Sequence, residues 1–267
     1  TFFHEFGHCL HTLLSEAETA GFAGTGVERD FVEAPSQMFE EWVWSPETLS
    51  LFAKHYETGE PMPTELVQGM IAAKNLQSGM KVESQIYLGM IDQAYHTDED
   101  GVVDTTQVGY DVYDATRLYK HTPETWHQGG FGHLTGYQAG YYGYMWSLVY
   151  AQDMFQRFQE LGMLDPEAGA YYREKVLAKG GTEDGLDLVR DYLGREPSMD
   201  AFLESLGLNE IPPQAVELPG TAVYGTGQLF ESGLECWVIE AGEGESPLPT
   251  DQVTVHYTGW TTDGEMF

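Results

Sequence analysis

The chain has 267 residues, 42% of them hydrophobic and 13% aromatic, which is globular composition and enough for one large domain or one domain plus part of another. Acidic residues outnumber basic ones 43 to 12, for a formal net charge of -31; that field repels phosphate backbones, so nucleic acid is excluded as an expected partner. No apolar run approaches the roughly 18 residues of a membrane span, and with only Cys9 and Cys236 far apart no disulfide framework is indicated, so a reducing, cytoplasmic setting without membrane contact is expected.

Apolar residues recurring three and four apart predict helices near residues 2-15, 33-44, 64-95, 137-160 and 184-205. Pro46, Pro61, Pro63, Pro123, Pro166 and Pro197 mark loops or helix starts between them. The fold class expected from this pattern is mainly α over residues 1-208.

The first predicted helix carries the most specific signal. His4-Glu5-Phe6-Gly7-His8 sets two imidazoles one turn apart, so both can reach one metal ion from the same face. Glu5 is angularly offset and can approach a metal-activated water, taking its proton and passing it on to a leaving amine. An extended motif with a third histidine would need Gly at position 11 and His at position 14, but these are His11 and Leu14, which excludes that class. His11 is expected to pack or hydrogen-bond one turn beyond His8, and Cys9 to be a small core residue and not a ligand. A catalytic zinc takes three protein ligands and keeps an open position. Asp30-Phe31-Val32-Glu33 offers carboxylates for the third place, one to ligate and the other to orient an imidazole.

Further along, Asp98, Glu99, Asp100 and Asp104 around Gly101 do not match the twelve-residue calcium pattern and read as a solvated acidic loop. Residues 129-146 are rich in glycine and hold Tyr137, Tyr141, Tyr142 and Tyr144 just after His133. Tyrosines at helical spacing usually belong to a core; phenol and imidazole donors can also stabilise an oxyanion, and glycines permit movement and close approach. Residues 209-227, with Ile211-Pro212-Pro213, read as a linker. Beyond it, alternation at 234-239 and 252-257 with glycine turns predicts a separate short β module over 228-267.

Several stretches resemble a known family. Thr1-Phe2-Phe3-His4-Glu5-Phe6-Gly7-His8, then Gly24-Thr25-Gly26-Val27-Glu28-Arg29-Asp30-Phe31-Val32-Glu33-Ala34-Pro35-Ser36-Gln37, and later Phe131-Gly132-His133-Leu134 with Gly194-Arg195-Glu196-Pro197, are similar to the thimet oligopeptidase and neurolysin family of zinc metallopeptidases across residues 1-208. The resemblance implies a helical zincin-type catalytic region, with one Zn2+ held by His4, His8 and Glu33. It further implies Glu5 as general base, His133, Tyr141 and Tyr144 as catalytic contacts, Tyr137 as a substrate contact, and short peptides as substrates of a monomer. One departure stands out: Leu134-Thr135-Gly136-Tyr137 has one glycine where the family usually has two, so the loop is a residue short, which weighs against Tyr137 more than against Tyr141 or Tyr144. Both chain ends are expected to be artificial, with much of one lobe absent and activity of the isolated chain weak or nil.

The tail resembles a second family. Gly233-Leu234-Glu235-Cys236, Asp251-Gln252-Val253-Thr254-Val255-His256-Tyr257-Thr258-Gly259 and Asp263-Gly264-Glu265-Met266-Phe267 are similar to the opening strands of FKBP-type peptidyl-prolyl isomerases. That implies proline-pocket roles for Tyr257 and Phe267, and an alternative isomerase or chaperone-like function for a completed tail. A non-catalytic peptide binder is the remaining rival.

Overall fold

In the computed structural model, which describes residues 1–97, 101–208, 228–229 and 235–236, the opening motif lies within helix α1, Phe2–Leu13. A loop with one 3-10 turn at Ala20–Phe22 leads to helix α2, Ala34–Glu40, which has proline in its first turn, where a missing N–H costs nothing. Helix α2 runs on as a 3-10 turn, Glu41–Trp44.

The contact between α1 and α2 depends on Gly7. A Cβ at that position would lie 2.6 Å from the Ser36 Cα, closer than real side-chain carbons come, and 3.1 Å from the Pro35 carbonyl oxygen. The bare backbone at Gly7 therefore lets α1 rest directly on the start of α2. Phe3 and Phe6 pack beside this seam on Phe39, with ring centroids at 5.2 and 6.2 Å.

The remaining helices among the described residues are α3 (Pro46–Phe52), α4 (Thr64–Ala72), α5 (Ser78–His96), α6 (Thr105–Thr116), α7 (Gly143–Leu161), α8 (Pro166–Tyr172), α9 (Gly185–Leu193) and α10 (Asp200–Ser205). Side chains cap several N-termini: Ser45 accepts from the Thr48 N–H, Asp104 from Thr106 and Gln107, Asp165 from Glu167 and Ala168, and Asp184 from Leu186. Each supplies an acceptor that the first helical turn otherwise lacks.

Helix α7 is the spine of the larger core. Its Met154, Phe155 and Phe158 pack with Phe31, Trp42 and Val176. A second core joins α5 to the loop before α7 through Tyr87, Ile91, Phe131 and Tyr141.

Several expected elements differ in detail. The single helix expected over 64-95 is two, because Gln77 takes a left-handed conformation (φ 60°) between α4 and α5. The helix expected from 137 begins at Gly143, because Ala139 is left-handed (φ 54°) and breaks the ladder. The stretch 184-205 divides at Gly194, whose φ of 69° ends α9. Helices α3, α6 and α8 were not expected. Helix α6 forms with an Asp104 cap and packs against α5, where Gly109 leaves room for the Tyr95 hydroxyl.

The chain divides into two compact units, 1–210 and 211–267. Within the second, β1 (Gln228–Leu229) and β2 (Glu235–Cys236) pair antiparallel, Gln228 opposite Cys236 and Leu229 opposite Glu235. The expected strand at 252-257, Tyr257, Phe267 and residues 98-100 of the acidic loop lie outside the described residues. No helix among the described residues is long and apolar enough to cross a membrane.

Replacing Gly7 with alanine must push α1 off the α2 backbone. Gly7→Ala is expected to destabilise the chain by about 1–3 kcal/mol, the usual cost of overpacking. Denaturant unfolding of both proteins measures it, and equal stability would show that the two helices have room to part.

Candidate metal centre

Helix α1 presents His4 and His8 on one side, with ring centroids 4.9 Å apart and planes nearly perpendicular. Seating Gly7 on Pro35 and Ser36 brings the last residue before α2, Glu33, under both rings. Its Oε2 lies 3.3 Å from His4 Nε2 and 3.2 Å from His8 Nε2. One ligand atom from each of the three residues falls within 4.8 Å of the others. Glu33 is only 7% exposed, and its Oε2 also accepts a hydrogen bond from Ser36 Oγ at 3.0 Å.

The electrostatics follow from this crowding. Burial alone would raise the Glu33 carboxyl, but hydrogen bonds from His4, His8 and Ser36 outweigh it and hold the group down at about 2. His4 is raised to about 9, first by its hydrogen bond to Glu33 and then by one to Glu40. The site therefore concentrates negative charge that a proton on His4 partly balances, and a cation among the three ligand atoms would take over that balancing role.

The donor set is chemically apt for zinc. Two imidazole nitrogens and one carboxylate oxygen match the three-ligand pattern that leaves a fourth position open. The side chain placed to orient the His4 ring is not Asp30, as the sequence suggested, but Glu40, whose Oε1 lies 2.7 Å from His4 Nδ1. Asp30 instead accepts a 2.7 Å hydrogen bond from the Tyr142 hydroxyl. Glu40 sits seven residues after Glu33, two helical turns along the same face, so its spacing was readable; its exposure on a charged surface gave it no other distinction.

Two expectations for α1 need correction or sharpening. Cys9 is exposed and not a core residue, because α1 buries the face carrying Gly7 and His11 while position 9 falls outside it. His11 is fully buried, and neither ring nitrogen has a hydrogen-bond partner among the described residues. It therefore packs without bonding, and burial, reinforced by His8, pushes it down to about 4. Glu5 is exposed and makes no ion pair among the described residues. With His8, Cys9, Thr12, Leu13, Thr25 and Val32 it lines a cleft of about 610 Å3.

The glycine and tyrosine loop lies across from this helix. The Tyr144 hydroxyl is 3.3 Å from His133 Nε2, and Tyr144 is raised to about 12 by burial and then by the charges of Glu33, Tyr141 and Glu5. Its phenol stays protonated at neutral pH and feels both carboxylates. Tyr137 is also raised, by burial and then by Glu33; its hydroxyl donates to the Arg29 carbonyl at 2.9 Å, under the Arg29 guanidinium. The short loop thus still carries Tyr137 towards the Glu33 side. Tyr141 is buried in the second core, with its ring 5.0 Å from that of His133, and its hydroxyl donates to Gln85 at 3.3 Å. The loop enters α7 at Gly143, where a Cβ would lie 2.9 Å from the Arg29 carbonyl oxygen and 3.0 Å from the Asp30 Cα.

The family description Peptidase family M3 matches residues 1–208. Oligopeptidase A of Escherichia coli (strain K12) is 41% identical over 217 residues, covering 78% of this chain and 31% of its own length. Saccharolysin of Saccharomyces cerevisiae is 39% identical over 216 residues, covering 78% of this chain and 30% of its own length. Dipeptidyl carboxypeptidase of Escherichia coli (strain K12) is 35% identical over 217 residues, again 78% of this chain and 31% of its own length. The chain thus spans about a third of the length of the curated relatives it matches. With His4, His8, Glu33 and the tyrosine loop all inside the matched residues, the chain belongs to peptidase family M3.

Proposed function

We propose that this chain supplies the catalytic centre of a zinc metallopeptidase that cleaves short oligopeptides, with His4, His8 and Glu33 holding one Zn2+ and Glu5 acting as general base. The observation that carries the reading is the approach of both imidazole Nε2 atoms to one buried carboxylate oxygen, at 3.3 and 3.2 Å, with Glu5 beside them facing an open cleft.

When bound, zinc supplies Lewis acidity, which polarises a carbonyl and acidifies water. Glu5 has the position for the proton work: it is next to His4 on the helix and turned to solvent. It takes a proton from the attacking water and returns it to the leaving nitrogen. Tyr144, protonated at neutral pH, is the donor best placed to steady the oxyanion, with His133 in contact with its hydroxyl. Tyr137 serves as a substrate contact. Tyr141, occupied with Gln85, acts by holding the His133 ring. All these groups come from one chain, which is consistent with action as a monomer. The names of the relatives, oligopeptidase A and saccharolysin, support peptides as the substrate class. No observation among the described residues favours the isomerase or chaperone-like reading.

Glu5→Gln is expected to abolish cleavage of a quenched fluorescent peptide, by about 100-fold or more, while leaving one zinc per chain. Retained cleavage would remove Glu5 from the mechanism.

A chelator should abolish cleavage and zinc addition restore it. Glu40→Ala frees His4 Nδ1 and is expected to weaken zinc binding by about 10- to 100-fold, as measured by competition with a chromogenic chelator. Unchanged affinity would reduce Glu40 to a surface ion pair.

A further inference from the structure

We propose that Asp92, on α5, is a positioning residue that holds the His133–Tyr144 loop in its working shape. Asp92 is fully buried, and a carboxylate removed from water needs its lone pairs occupied. It meets that need largely with the loop's own backbone. Oδ1 accepts from the Ala139 N–H and Oδ2 from the Tyr141 N–H, each at 2.9 Å, and His96 Nδ1 lies 3.1 Å from Oδ1. The adjacent Gln93 Nε2 donates to the Ala139 carbonyl at 3.0 Å.

The backbone bears the mark of this grip. Ala139 sits at φ 54°, a conformation that an alanine keeps only where its surroundings over-determine it. Two acceptors and one donor from a single turn of α5 do so here. The consequence reaches the site through the chain: fixing the Tyr141 N–H sets its ring against His133, and Tyr144, three residues on, then meets His133 Nε2. On the other side the loop is tied to the segment preceding Glu33, by Tyr137 to the Arg29 carbonyl and by Tyr142 to Asp30. Asp92 thus anchors the side of the loop remote from the metal ligands. The inference rests on the proposed role of His133 and Tyr144 in turnover.

Amide hydrogen exchange tests the clamp directly. In the unmodified chain the Ala139 and Tyr141 amides should exchange about tenfold or more slowly than that of neighbouring Gln138, as expected for bonds to a buried charged acceptor. Exchange as fast as that of Gln138 would overturn the proposal, whatever any variant does. Asp92→Asn keeps the side-chain volume but presents an N–H donor where a main-chain N–H must be accepted. In the zinc-loaded chain it is expected to lose protection over residues 137–143 while keeping it in α1 and α7. One zinc per chain should remain. The kcat should fall by about tenfold to a hundredfold while KM changes less than about threefold, because contacts made in the transition state are displaced. Unchanged loop protection with kcat within about twofold of the parent would overturn the proposal. If the variant loses protection throughout, the exchange rates of the unmodified chain decide. Turnover by Glu5→Gln would defeat the proposed catalytic mechanism alone, since the Asp92 clamp is read independently from the loop amides.

Discussion

Everything about the candidate centre depends on how closely α1 approaches the start of α2. A side chain at Gly7 would hold the two backbones apart, and the distances between Glu33 and the imidazoles would grow with that gap. Helix periodicity puts His4 and His8 on one face, but a helix surface with two histidines is not yet a binding site. The third candidate ligand, Glu33, comes from 25 residues further on, and only a contact without an intervening Cβ brings it under both rings.

A buried carboxylate is costly unless charge or hydrogen bonds compensate it. At Glu33 the compensation comes from His4 and His8, together with Ser36 in the first turn of α2. Glu40 extends the arrangement outward by holding the far nitrogen of His4. The result is a pre-arranged pocket in which one carboxylate is kept ionised and one imidazole is kept oriented. Glu5, by contrast, is left in the open beside the cleft.

The loop between the two cores has a different logic. It is short of regular structure, yet it is tied at both edges: to Asp92 and Gln93 on α5, and to Arg29 and Asp30 in the segment preceding Glu33. The phenols on it divide accordingly. Tyr137 and Tyr144 lie within the field of Glu33, whereas Tyr141 turns into the second core. Tyrosines close together in sequence therefore divide between two environments, which spacing along the chain could not distinguish.

The sequence by itself determined the local features. The two histidines one turn apart, the offset acid between them, the mainly helical pattern and the likeness that led to the family were all legible, because each depends on residues near one another in the chain. The helix breaks at Gln77 and Ala139 were not, since single left-handed residues leave the apolar period intact. The exposure of Cys9, the choice of Glu40 over Asp30 as the partner of His4, and the grip of Asp92 on the loop were decided only by tertiary structure. Each turns on which side of an element meets another element far away in sequence, and that is settled by backbone close approach and by the need of buried carboxylates for partners.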